Sequence, residues 1–134
     1  EITHAAKGDQ CQVNQVLYHL GSRGIEYSLK PFTDSRNIPT MAYCPLSQGG
    51  RLKDKLLKSK SVIKISEKYG VSPIQILLLF VLNQENMISI PKTSKLKHMK
   101  ENIECLDIIL NEEDIELLTI EFPAPNKKVS LVIE

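Results

Sequence analysis

Four residues at one junction carry the first sign of chemistry. The stretch Ile90–Ile103, IPKTSKLKHMKENI, follows a short apolar run and sets Lys92, Thr93, Ser94 and Lys95 just ahead of a helical pattern. A helix N-terminus presents backbone N–H groups without intrahelical partners and a partial positive charge. A lysine and hydroxyl donors added there make a cradle for a phosphate. The competing reading is that Thr93 or Ser94 only caps the helix and the lysines are solvated. Both readings need the same scaffold: a strand end, a turn and a helix start.

Composition limits what that scaffold belongs to. The chain has 134 residues, 42% hydrophobic and 25% charged, with a net charge of +1. These are the values of one globular domain. They give no bulk electrostatic pull toward nucleic acid or a membrane surface. Lys92, Lys95, Lys97, His98 and Lys100 form a local basic cluster, without the aromatics of a nucleic-acid stripe. Cys11, Cys44 and Cys105 are odd in number and lack C-x-x-C spacing, which points to reduced thiols and a cytoplasmic setting and away from zinc or a disulfide framework. The longest apolar run, Ile76 to Leu82, falls far below the roughly 18–20 residues that span a bilayer. There is no signal-peptide pattern. The chain opens at EITHAAKGDQ without an initiating Met, and the expectation is that its natural start lies upstream.

Three strands and intervening helices are expected. Cys11–Leu20 alternates and carries valine and tyrosine, as a strand does, and GSRG breaks it. Ile25–Phe32 reads as a helix complicated by Pro31. Ile38–Leu46 reads as a second strand with prolines at its borders, and SQGG after it as a loop free to adopt unusual dihedrals. Ser61–Tyr69 places Val62, Ile65 and Tyr69 on one helical face, and Gly70 ends it. Ser72, Pro73 and Gln75 open a further helix with a capping box. Met87–Pro91 is the third strand. Helices follow over about Ser94–Cys105 and Asn111–Ile120, the latter with Glu112, Glu113 and Asp114 in its first turn, before an irregular tail from Phe122. Strands alternating with helices imply a parallel sheet, whose ligands bind beyond the strands' carboxyl ends. Tyr18 and His19, Tyr43 and Cys44, and Lys92 and Thr93 occupy those three ends.

The segments VNQVLYHLGSRGIEY, IPTMAYCPLSQGGRL, SEKYGVSPIQILLLFVLNQ and ISIPKTSKLKHMKENI, in this order and spacing, resemble the C-terminal half of an aldo-keto reductase. The resemblance implies an α/β fold, the last three strands of a (β/α)8 TIM barrel. It also implies a nicotinamide dinucleotide cofactor, NADP or possibly NAD, used to reduce aldehydes and ketones. By the same resemblance Gln15 holds the nicotinamide carboxamide, a task that suits a side chain able to donate and accept at once. Tyr43 supplies a flat face under the nicotinamide ring. Cys44, Pro45 and Leu46 also belong to the cofactor site, Cys44 through backbone contacts and not as a nucleophile, and the loop SQGGRL, with Gln48 and Gly49, is similar to the segment that wraps the pyrophosphate. Lys92, Thr93 and Ser94 meet the adenosine 2′-phosphate, and Glu101 and Asn102 the adenine. His98 departs from the pattern, since many members carry an arginine there. For Gln15 and Tyr43 the plainer alternative is packing within the barrel.

The same family reduces carbonyls with an Asp, a Tyr, a Lys and a His from the first half of its barrel, and none of those motifs occurs here. Such chemistry needs an acid to protonate the carbonyl oxygen and a cation to lower that acid's pKa. Without the resemblance, Tyr43 as acid, Lys92 as cation and His19 as polariser would be an option; with it, His19 becomes a rim or packing residue. A whole barrel takes about 250 residues. The expectation is therefore a single fragmentary domain over 1–134, the cofactor-holding half of a reductase, inactive alone and partnered by the remaining half. The alternative is a non-catalytic half-barrel that serves as an interaction or self-association module. The tail from Phe122 is a candidate lining of the substrate pocket and does not name the carbonyl compound.

Overall fold

A computed structural model describes residues 10–130. Three short strands, β1 (Asn14–Leu17), β2 (Thr40–Tyr43) and β3 (Met87–Ser89), form one parallel sheet in the order β1-β2-β3. Gln15 lies opposite Met41, and Met41 opposite Ile88. Parallel neighbours need a crossover. The first consists of a 3-10 turn over Gly24–Tyr27 and helix α1 (Leu29–Asp34). The second consists of α2 (Gly50–Leu57), α3 (Lys60–Tyr69) and α4 (Pro73–Leu82). After β3 come α5 (Leu96–Glu104), a 3-10 turn over Cys105–Asp107, and α6 (Glu112–Glu121).

The strands are shorter than their sequence patterns suggest. β1 gives way to a tight turn in which Ser22 N–H donates to the His19 carbonyl at 2.8 Å. β2 stops where Cys44 takes a left-handed φ of 49°, which no ladder can continue. The segment read as one helix, Ile25–Phe32, is two elements divided at Ser28. The division puts Pro31 in the first turn of α1, where its missing N–H costs nothing. Helix α2 has no counterpart in the sequence reading. Its double-glycine opening reads as loop, and only Leu56 of its residues is buried. The two caps fare better. Ser72 and Gln75 form the expected box on α4, and Asn111 with Asp114 forms one on α6.

α4 is the hub. Every residue from Gln75 to Val81 is buried, as expected of a helix that is apolar all round. Phe80 stacks on Tyr18 with ring centroids 5.9 Å apart. Val16 and Ala42 point from the sheet into this core. Strand alternation sends Gln15, Met41, Tyr43 and Ile88 to the opposite face. That second face carries Ile88, 41% exposed, so helices cover one side of the sheet among the described residues. No single described helix is long and apolar enough to cross a membrane.

α6 is clamped antiparallel along α3 at two points seven residues apart. Asp114 accepts from Lys68 Nζ at 2.8 Å and from Tyr69 Oη at 2.6 Å. Glu121 accepts from Ser61 Oγ at 2.6 Å and from Ser61 N–H at 3.0 Å, a carboxylate at a helix N-terminus.

Candidate functional site

All three carboxyl ends open to the same side, as parallel pairing requires. Gln15, the second residue of β1, is exposed on the strand's uncovered face. His19, by contrast, is buried, and its Nδ1 accepts from the Gly21 N–H at 3.1 Å. It packs in the turn and presents no polariser at a rim. Tyr18 is also buried. Burial, together with the Glu26 carboxylate it donates to at 2.6 Å, pushes its phenol well above the ordinary range. Its hydroxyl hydrogen is directed at Glu26 inside the fold.

At the second end, Tyr43 is half-buried and shares the uncovered face with Gln15. The chain then takes a strained path. Cys44 (φ 49°) and Ser47 (φ 59°) are non-glycine residues in the left-handed region, and Gly49 and Gly50 follow at 152° and 68°. Positive φ at non-glycine positions costs energy and concentrates at ligand-binding segments. The Cys44 carbonyl accepts from the Ser47 N–H at 2.9 Å, closing a turn around buried Pro45 and half-buried Leu46. Gln48 and Gly49 are exposed at its tip.

The third end answers the capping question. The residue before α5 is Lys95, and no side chain caps the helix. Thr93 Oγ1 accepts from the Lys95 N–H at 3.2 Å, one residue short of the helix, and Ser94 is exposed. The reading of Thr93 or Ser94 as a cap is therefore corrected. Among the described residues the first-turn N–H groups of α5 have no side-chain partner, and Lys92, exposed in the segment before them, is in no ion pair. His98 is exposed at the third helical position. Glu101 and Asn102 lie half-buried one turn on, and the Glu101 carbonyl accepts from Gln75 Nε2 at 3.0 Å, which ties α5 to the hub helix.

Gln15 and Tyr43 thus share the uncovered face of the sheet, while the strained loop and the segment leading to α5 follow the carboxyl ends of β2 and β3. A cavity of about 570 Å³ runs along α6, lined by Leu110, Ile115, Thr119 and Ile120 among others, and holds none of these residues. Cys105 is buried, and burial raises its thiol to about 11, so it is inert. Among the described residues no group of His, Cys, Asp and Glu is placed to hold a metal ion. The sequence reading missed the backbone strain at Cys44 and Ser47, because neither residue type advertises a positive φ. It also passed over Arg23, which lies in the GSRG segment read only as the end of a strand and which pairs with Glu26.

A sheet of parallel strands with helices on one face and its strand ends gathered into one rim is the C-terminal part of a TIM barrel. The aldo/keto reductase family model matches residues 1–120, and the chain belongs to that family. Methylglyoxal reductase YeaE of Escherichia coli is 40% identical over 131 residues, 98% of this chain and 46% of its own length. Glyoxal reductase of Bacillus subtilis is 32% identical over 104 residues, 78% of this chain and 35% of its own. Among solved structures, an aldo-keto reductase from Klebsiella pneumoniae in complex with NADPH superposes with a TM-score of 0.92 at 39% identity, covering 99% of this chain and 47% of that one. The chain spans about half the length, or less, of the relatives it matches.

Proposed function

We propose that this chain is the cofactor-holding half of an NADPH-dependent aldo-keto reductase whose complete form reduces aldehydes and ketones to alcohols. The uncapped start of α5 beside Lys92 carries the reading. Open N–H donors, a positive helix end and a lysine suit the 2′-phosphate that separates NADP from NAD. The Klebsiella relatives, solved with NADPH and with NADP, support the same choice.

The residues divide the work. Lys92, Thr93 and Ser94 bind the 2′-phosphate, His98 covers its flank, and Glu101 and Asn102 take the adenine. The strained loop from Cys44 through Gly49 lets its backbone approach the pyrophosphate. Tyr43 stacks under the nicotinamide and Gln15 orients its carboxamide, so that one ring face points at the substrate. The bound cofactor supplies the hydride. Proton donation to the carbonyl oxygen falls to residues outside this chain: Tyr18 is buried with a raised pKa, and His19 is folded into a turn.

The test is cofactor oxidation with a broad aldehyde panel, on this chain alone and on a full-length protein that includes it. The chain alone is expected to be inert. Turnover by the chain alone near the ~10 s⁻¹ of an ordinary enzyme would overturn the assignment and return Tyr43 to consideration as the acid.

A further inference from the structure

The net charge of +1 hides an uneven distribution. From Gly50 to Tyr69 the chain holds seven cations and only two carboxylates, Asp54 and Glu67. Lys68 is committed to Asp114. The other six, Arg51, Lys53, Lys55, Lys58, Lys60 and Lys64, enter no ion pair among the described residues, and all but Lys53 are exposed. This arrangement works against the helices that carry it. α2 and α3 have no acidic residue in their first turns. Arg51 and Lys60 stand there instead, at the positive helix ends, where a cation is disfavoured. Arg51 with Lys55, and Lys60 with Lys64, are like charges four residues apart on one helix, which costs stability again. The Glu121 carboxylate at the start of α3 feels Lys55 and offsets part of that charge. Local rules broken without a packing gain mark a surface kept for another purpose.

The cations are turned outward. α3 buries Val62 and Ile65 in the core and exposes Lys60, Ile63 and Lys64 on its other side. α2 buries Leu56 and exposes Arg51, Leu52 and Lys55. Lys58 and Ser59 alone join the two helices, so the exposed cations follow one another along one stretch of surface. The strands that complete a barrel pair with the free edges of β1 and β3. The outer side of α3 faces away from the core and from those edges, and α6 already lies along its flank. Closure of the barrel therefore leaves this surface open.

We infer that the outer side of α2 and α3 is a docking surface for an anionic phospholipid bilayer. Charge complementarity carries the inference: four to eight lysines and arginines gathered on one helical surface attract anionic headgroups. The composition favours lipid over nucleic acid. Five of the six cations are lysines, and no aromatic ring lies between Gly50 and Lys68. Stacked bases and phosphates are gripped by aromatic faces and by the arginine fork. A headgroup layer asks only for point charges within a Debye length. Leu52 and Ile63, 37% and 38% exposed among these cations, can enter the boundary between headgroups and acyl chains. Docking of this kind is reversible and sensitive to salt. It does not depend on the reductase reading, and it uses none of the residues assigned to the cofactor.

The experiment is co-sedimentation of a full-length protein that includes this chain with vesicles of phosphatidylcholine, with and without phosphatidylserine. The parent should bind only the vesicles that contain phosphatidylserine, and should release as salt rises from about 0.05 M to about 0.5 M. Replacing Lys55, Lys58, Lys60 and Lys64 together by Gln, which keeps helix propensity, should weaken binding about fivefold per lysine and several hundredfold in all. Replacing the same four by Arg keeps the charge and should leave binding within about threefold of the parent. The double variant Lys127→Gln, Lys128→Gln removes exposed charge elsewhere and should also stay within about threefold. If the fourfold Gln variant does not fold, the double variant Lys60→Gln, Lys64→Gln decides, with an expected loss of about twenty-five-fold. Equal binding to both kinds of vesicle, no binding at low salt, or Gln variants as tight as the parent would overturn the inference. So would tighter binding, per anionic group and at the same salt, to duplex DNA of mixed sequence, which would assign the surface to nucleic acid.

Discussion

His98 stands exposed at the third position of α5. An arginine there would carry a fixed charge. Under the proposed function, His98→Arg should therefore bind NADP more tightly than the parent and leave NAD nearly unchanged, which the two dissociation constants check. Equal changes for both cofactors would remove this position from the phosphate. Tyr43→Ala makes the complementary case: it should weaken NADP and NAD alike, because both carry the same nicotinamide, and dissociation constants for the pair would check it.

At the scale of elements, the clamp of α6 on α3 sets the response to acid. Burial alone would raise the Asp114 carboxyl, but hydrogen bonds from Lys68 and Tyr69 outweigh it and hold the group below its ordinary value. The Ser61 hydroxyl and N–H likewise hold Glu121 down. A depressed carboxylate contributes stability that is fully present above its unfolded pKa of about 4 and is lost as pH falls through the folded value. The urea midpoint should therefore fall steeply below about pH 4, and the double variant Asp114→Asn, Glu121→Gln should show a flatter acid limb. Parallel acid limbs in the two proteins would mean the clamp is not what titrates. Asn111→Ala, which removes a helix cap, should cost about 1 kcal/mol at neutral pH in the same assay. These caps were legible in the sequence because their chemistry is local: Ser72 with Gln75, and Asn111 with Asp114, need only a spacing of three. The clamp was not. Asp114 and Lys68 are distant in sequence, and nothing in either segment names the other. Helix α2 was hidden for another reason. Its first residues are exposed, so no buried face imposes a period.

The molecule as a whole presents one covered and one open sheet face. Leu96, Met99 and Ile103 also form an exposed apolar stripe along α5, which buries none of its residues. A parallel sheet is ordinarily covered on both faces, so these surfaces suit the rest of a barrel. The parallel sheet was readable because strand and helix signals alternate along the chain, and the barrel from the resemblance of four segments in order to the aldo-keto reductase family. The candidate site residues came from the same resemblance, beside the general rule that ligands meet parallel sheets at their carboxyl ends. What sequence could not supply was the state of the α5 start, where Thr93 turns aside to Lys95 and leaves the helix uncapped. Under the proposed function this uncapped start, with Lys92, holds the 2′-phosphate. Its most direct test is the pair of dissociation constants for NADP and NAD in a full-length protein and in its Lys92→Ala variant. A charge-assisted contact is worth roughly 1.5–3 kcal/mol, so NADP should weaken about ten- to hundredfold while NAD stays nearly unchanged. Equal weakening of both cofactors, or of neither, would contradict the account.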